Sequence, residues 1–190
     1  MVVGLGNPDP KHARTRHNVG AEVVDGLAAR YDTRLKAGRH QARIGEAVVS
    51  GRRVALAVPL TYMNESGQAV RSLVRRFGID DLADLVVVHD ELDLPVGRMK
   101  VKAAGGLAGH NGLRSIRAHL HDDGFTRIRI GVGKPPTKER GADHVLAQPS
   151  KADRRELDVV VVEAMEAVEL MVSDGLAAAM GRFNTGPETP

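Results

Sequence analysis

Four short apolar runs, Val2–Leu5, Val54–Val58, Leu85–Val88 and Ile128–Val132, recur along this chain with helical patterns between them, and that alternation restricts the fold more than any other feature. Such runs read as strands, and the more alternating stretches Ala42–Val49 and Arg98–Ala103 read as two more. Val19, Val23, Val24 and Leu27 make one helical stripe; Val70, Leu73, Val74 and Phe77 make another, which Gly78 is suited to end. Strands that alternate with helices predict an α/β fold: a single domain with a twisted, mixed, mostly parallel sheet flanked by helices. Ser150 and Asp153 resemble a capping box, after which Leu157, Val161, Met165, Val168 and Val172 recur at helical spacing through the longest helix. The β-branched run Val159–Val162 favours a strand by propensity, but the flanking charges and the unbroken period favour helix. The domain is expected to cover 1–184, and the segment 185–190, with Gly and Pro but no apolar anchor, to fray.

With 190 residues the chain can bury a substantial core, and with no cysteine it offers neither disulfides nor a thiolate zinc site. Nothing in that composition requires an oxidising compartment, so the expectation is cytoplasmic. No apolar run has the length of a membrane span, and the chain enters Val2-Val3-Gly4-Leu5-Gly6 without a basic stretch and long apolar region. A soluble, unprocessed protein with no membrane partner is therefore expected. The net charge of +3 is unevenly spread: Leu94 to Arg140 holds ten Lys/Arg against three Asp/Glu, and Gly141 to Leu176 holds three against eight. Lys100 and Lys102 alternate with Met99 and Val101, and Arg127 and Arg129 with Ile128 and Ile130, so each pair should emerge on one face of a strand. Two such stripes suit phosphates; the plainer reading is a solvated sheet face. Three Phe, two Tyr and no Trp argue against readout of single strands on stacking platforms.

Polar clusters stand where these apolar elements should end. Thr15-Arg16-His17-Asn18 follows the turn Gly4-Leu5-Gly6-Asn7-Pro8; Thr61–Gly67, His89–Leu94 and Gly105–Gly112 follow downstream, with His89-Asp90 placed just past Leu85–Val88. Polar groups at the ends of apolar elements are how a rigid scaffold presents a reaction centre, and the clusters read as one site. Several chemistries drop out. The third glycine of a dinucleotide fingerprint would fall at Asp9, and Pro8 breaks the helix start. Gly133-Lys134 runs into Pro135 rather than Ser or Thr, unlike a phosphate loop, and neither a G-x-S-x-G elbow nor a cysteine offers an acyl-enzyme nucleophile. His17 can act on water near neutral pH, although a lone His at a helix start is usually a surface residue. Asp90 at a strand end raises its standing, because a carboxylate there can fix one tautomer and stabilise the imidazolium. The alternatives for His89–Asp93 are a charged turn or a metal cluster; its spacing matches no familiar zinc motif, so no metal is expected. Asn64 and Asn111 stand where helices begin and suit either N-capping or the holding of a carbonyl and a water, while Asn7 suits either a turn with Pro8 or the same use of its amide.

Taken together, Gly4-Leu5-Gly6-Asn7-Pro8, Thr15-Arg16-His17-Asn18, Tyr62-Met63-Asn64-Glu65-Ser66-Gly67, His89-Asp90-Glu91-Leu92-Asp93-Leu94, Gly109-His110-Asn111-Gly112 and Arg129-Ile130-Gly131-Val132-Gly133 closely resemble bacterial peptidyl-tRNA hydrolase, in order and as far as Phe183-Asn184. The resemblance implies hydrolysis of the ester between an N-blocked aminoacyl or peptidyl group and the tRNA 3′ ribose. It implies a cytoplasmic monomer that recycles tRNA from stalled translation, binds the acceptor stem and 3′ end, and needs no cofactor. By the same match His17 is the general base and Asp90 supports its basic form. Asn7 distinguishes N-blocked from free aminoacyl ends, Asn64 and Asn111 hold peptide carbonyls and the attacking water, and Tyr62 sits against the 3′ end. Lys102 and Arg129 match positions that contact tRNA phosphate. His12 departs from the family's usual Tyr and is kept as a tRNA contact; Asp9 and Ala108 replace usual glycines. The fold also resembles chloroplast group II intron splicing factors, which bind partners without turnover, and a small-molecule esterase would use the same dyad. Retention of His17, Asp90, Asn64 and Asn111 favours the enzyme over the first rival, and the basic middle argues against the second.

Overall fold

Successive residues point to opposite faces of a strand, and in this chain the two faces feed two separate cores. The computed structural model describes residues 1–135, 137 and 140–185, so the tail expected to fray lies outside the described residues from 186 onward. Seven strands, β1 (Val2–Gly4), β2 (Lys36–Ala37), β3 (Ala42–Val49), β4 (Arg52–Pro59), β5 (Val86–Glu91), β6 (Met99–Ala103) and β7 (Thr126–Gly131), form one sheet in the order β2-β3-β4-β1-β5-β7-β6. The centre β4-β1-β5-β7 is parallel; on one margin β3 pairs antiparallel with β4 and β2 antiparallel with β3, and on the other β6 pairs antiparallel with β7. The expected single α/β domain with a mixed sheet is thus the observed fold.

Helices α1 (Val19–Arg30) and α5 (Lys151–Asp174) bury Val23, Val24, Leu27, Leu157, Val160 and Val168 against Val2, Leu56, Val88, Ile128 and Ile130. On the other face α2 (Ser66–Phe77) and α3 (Asn111–Leu120) bury Val70, Leu73, Leu113 and Ile116 against Val3, Leu5, Ala57, Val87 and Phe125. Gly78, at φ 60°, closes α2 in the left-handed conformation that glycine adopts without cost. Ser150 caps α5 by accepting from the Asp153 amide at 3.1 Å, and the helix carries Val159 and Val162 on its exposed side, so burial of the other face outweighs their β propensity. Two short helices, α4 (Gly141–Leu146) and α6 (Leu176–Phe183), and the two-residue β2 gave no periodic signal in the sequence. After α6, the Asn184 amide bonds both the N–H and the C=O of Val101 at 2.8 Å, which covers part of the edge strand β6. No helix of the described residues is long and apolar enough to cross a membrane.

Two details position the site. The strand β5 does not stop at Val88: it continues, paired with β7, through His89, Asp90 and Glu91, all buried. These residues are therefore not a charged turn beyond the strand, because each polar side chain finds a partner that lets the ladder go on. Gly20 in the first turn of α1 lets that helix lie directly on the strands. A Cβ there would run into the Val88 carbonyl.

Candidate active site

The polar clusters meet at the carboxyl ends of β1 and β5, where α1 lies on one face of the sheet and α2 and α3 lie on the other. A 3-10 turn, Arg16–Asn18, leads into α1 and sets His17 beside Asp90 of β5. The turn is pinned from behind. Arg16 is buried, pairs with Asp153 at 2.9 Å and donates to the Gln148 carbonyl at 3.3 Å, tying the turn to the start of α5. Asn18 accepts from the Asn7 amide at 2.9 Å and donates to the Asn7 carbonyl at 3.0 Å, so its side chain grips the loop after β1.

Asp90 is the hub. Its Oδ1 accepts from His17 Nδ1 at 2.8 Å and from His110 Nε2 at 2.9 Å. His110 is the N-cap of α3, and its Nδ1 accepts from the amides of Gly112 at 3.1 Å and Leu113 at 3.3 Å. Those backbone donors leave the proton on Nε2, aimed at Asp90. Asn111 therefore does not cap the helix as the sequence allowed; the imidazole one residue earlier does so, and Asn111 Oδ1 accepts from Arg114. Burial pulls the His17 imidazole down, but the charge of Asp90 and its hydrogen bond outweigh burial and set its pKa above the ordinary 6.5. Burial favours a neutral Asp90, yet His17 and His110 hold its carboxyl well below the usual carboxylate range. His89 is pushed down to about 3 by burial and then by His110, so it is a neutral ring that donates from Nδ1 to the Asp90 carbonyl at 2.7 Å. With Nδ1 of His17 committed to Asp90, its Nε2 carries the free lone pair.

The cleft in front of this group encloses 740 Å³. Seven of the nine residues singled out in the sequence line it: Asn7, His12, His17, Tyr62, Asn64, Asp90 and Asn111. Asn7 Oδ1 accepts from the Met63 amide at 2.9 Å, which joins the loop after β1 to the 3-10 turn Met63–Glu65 that carries Asn64. Asn64 and Asn111 are both exposed, and the absence of a side chain on Gly112, where a Cβ would strike Met63 Sδ, lets their segments pack together. Ala108, at φ 46°, holds the left-handed conformation in the segment Gly105–Gly112, at a position where the family that the chain resembles usually has glycine.

Lys102 and Arg129 lie outside the cleft, on β6 and β7. Cross-strand pairing sets Lys100 opposite Arg129 and Lys102 opposite Arg127, so the four cations share one sheet face. They are not equivalent, as two open stripes would require. Arg127 is buried and donates to the carbonyls of Gly106, at 2.6 Å, and Ala104. Arg129 Nε bonds Glu91 Oε2 at 3.0 Å, while Lys102 is exposed. Arg127 holds the loop before α3, and its role follows from unpaired carbonyls rather than from an external anion.

His110 and Asn18, which carry no assigned role in the sequence motifs, hold the site together: His110 bonds Asp90, and Asn18 grips the loop after β1. His17, Asp90 and His110 also form the one group of His, Asp and Glu side chains among the described residues compact enough for a metal ion. Their facing atoms are spent on one another, with both imidazoles donating to a single carboxylate oxygen, which is the geometry of a hydrogen-bonded triad.

Comparison with known proteins points one way. A family model described as peptidyl-tRNA hydrolase matches residues 1–190. A peptidyl-tRNA hydrolase of Rhodococcus erythropolis is 47% identical over 188 residues, covering 97% of this chain and 97% of its own. One of Chloroflexus aggregans is 43% identical over 184 residues, covering 97% and 98%. The crystal structure of peptidyl-tRNA hydrolase from Acinetobacter baumannii superposes with a TM-score of 0.92 at 38% identity, over 97% of this chain and 93% of the other.

Proposed function

The chain belongs to the peptidyl-tRNA hydrolase family, whose reaction is hydrolysis of an aminoacyl-tRNA ester, and from that premise we propose the part each residue takes. His17 is the general base. The observation that carries this is the His17 Nδ1 to Asp90 Oδ1 bond of 2.8 Å, which in the neutral ring places the free lone pair on Nε2, in a cleft lined by three neutral amides. His17 Nε2 takes a proton from water, and the hydroxide adds to the ester carbonyl as Asp90 stabilises the imidazolium. Asn64 and Asn111 donate to the oxyanion and the peptide carbonyls. The tetrahedral adduct then expels the ribose oxygen, which takes the proton from His17 and leaves an intact tRNA and a carboxylic acid that releases its own proton to solvent.

Asn7, fixed by Met63 and Asn18, meets the blocked α-nitrogen of the substrate and so distinguishes it from a free aminoacyl end. Tyr62 and His12 meet the 3′ end. Lys102 and Arg129 meet phosphates of the acceptor stem, a reading supported by their shared sheet face. The domain spans 1–184 and acts as a cytoplasmic monomer.

The test is release of N-acetylated amino acid from its tRNA. Wild type should cleave it and spare the unblocked aminoacyl-tRNA, and His17→Ala should lose on the order of a hundredfold or more in kcat with tRNA binding nearly unchanged. Full activity in His17→Ala would remove the base; binding without cleavage by the wild type would move the reading to an RNA-binding role.

A further inference from the structure

Asp9 occupies the N-cap position of a 3-10 turn, Pro10–His12, with extended backbone at φ −68° and ψ 137°. An aspartate at such a position ordinarily accepts from an amide of its own turn. This one does not: the turn is closed by the backbone bond from His12 N to Asp9 O at 2.9 Å, and the side chain makes no cap. Its Oδ2 instead accepts from the Tyr62 hydroxyl at 3.2 Å, 53 positions away. Lys11 Nζ at 3.9 Å and His12 Nδ1 at 3.7 Å face the same oxygen from behind.

We propose that Asp9 is a positioning residue that locks the Tyr62 ring across the mouth of the cleft for the terminal nucleoside of the tRNA. The proposal rests on the reading that Tyr62 meets the substrate's 3′ end. Two bonds join the same pair of segments. The inner one runs from the Met63 amide to Asn7 Oδ1 at 2.9 Å, and the outer one from the Tyr62 hydroxyl to Asp9 Oδ2, one residue further out on one segment and two on the other. The inner bond is partly buried and fixes the backbone of Met63, but it does nothing for the exposed side chain beside it. At 51% exposure the Tyr62 ring has too little packing to hold one rotamer, so the hydroxyl is its remaining tether. Hydrogen bonding to Asp9 also raises the phenol's pKa, which keeps it a donor across the working pH range. A ring held in place before the nucleoside arrives loses less freedom on binding, and that gain falls on substrate affinity rather than on the proton transfer at His17.

The experiment is steady-state kinetics on N-acetylated aminoacyl-tRNA with Asp9→Ala, Tyr62→Phe, the double variant and Asp9→Asn, with Tm measured for each. Asp9→Ala and Tyr62→Phe should each raise KM about three- to tenfold with kcat close to wild type, the scale of one exposed charge-assisted hydrogen bond. The double variant should be no worse than either single one, because both remove the same bond. Asp9→Asn keeps an accepting oxygen and should recover most of the loss. Effects that multiply in the double variant, an Asp9→Asn as poor as Asp9→Ala, or a fall in kcat at unchanged KM would each overturn the proposal. A wild type that leaves this substrate intact would instead overturn the functional reading beneath it.

Discussion

A single oxygen, Asp90 Oδ1, serves two imidazoles, and that sharing decides what each histidine does. In its proposed role as base His17 must be neutral, and its pKa lies above 6.5 because Asp90 favours the imidazolium, so kcat/KM should climb with pH along a limb whose midpoint is above 6.5. Asp90→Asn removes the charge that raises it. The midpoint should then fall, and the rate at the plateau should drop by roughly a hundredfold or more as the tautomer is lost. A midpoint that stays put would show that another group titrates. Stability follows the opposite course. A histidine with a raised pKa stabilises the fold below its unfolded value and loses that contribution as pH rises through the folded one; Asp90, held low, contributes above 3.8 and loses it as pH falls. His89 adds a steeper dependence: neutral in the fold with its pKa pushed down to about 3, it costs stability increasingly as pH falls below 6.5, so urea midpoints should be highest near pH 6.5 and fall on the acid side. The pairing of His17 with Asp90 was readable in the sequence, as a base and a carboxylate at the ends of apolar elements. His110 was not: its neighbours are glycines and an asparagine, and only the amides of Gly112 and Leu113 on its other nitrogen make it a donor to Asp90.

Helix α1 carries His17 into place, so whatever sets the height of that helix above the sheet also sets the distance between base and carboxylate. Gly20 sets it. Gly20→Ala would drive a methyl into the Val88 carbonyl, two residues before Asp90 on β5, and neither backbone can yield without breaking the Ala21 to Leu5 hydrogen bond of 3.0 Å. We expect a cost of about 3 kcal/mol, a Tm lower by on the order of 10 °C, and a loss of kcat larger than the unfolded fraction accounts for. Thermal melts beside single-turnover rates separate the two effects; a stable, fully active Gly20→Ala would show that the helix position is not what holds the dyad. At this scale most of the architecture was legible, because the central strands and the long helices bury enough apolar surface to impose a period. The 3-10 turns that carry Asn64 and His17 were not, since a single turn has no period to read, and β5 was cut short at Val88 because His89, Asp90 and Glu91 are buried but polar in type, and the partners of Asp90 and Glu91 are distant in sequence.

Across the whole molecule the alternation of Lys100, Lys102, Arg127 and Arg129 identified a cationic sheet face, but sequence could not say which of these charges are available to an RNA. Their partners decide. Lys102 is exposed with no acid paired to it among the described residues, so Lys102→Gln should weaken tRNA binding and reduce the magnitude of the salt slope by roughly 0.7–0.9, the share of one phosphate contact, with no change in Tm. Arg129→Gln should show a similar change in slope and also destabilise the fold by about 3 kcal/mol, because Glu91, only 3% exposed, loses the guanidinium that balances its charge. Arg127→Gln should leave the slope untouched: its guanidinium is spent on the carbonyls of Ala104 and Gly106, and its loss frees the loop that leads to His110 and Asn111, lowering kcat instead. Equilibrium binding of uncharged tRNA over a range of salt, with melts on the same samples, distinguishes all three. An identical slope change in the three variants would mean that the face acts only through its summed charge, and an unchanged slope in Lys102→Gln would take the acceptor stem off this surface.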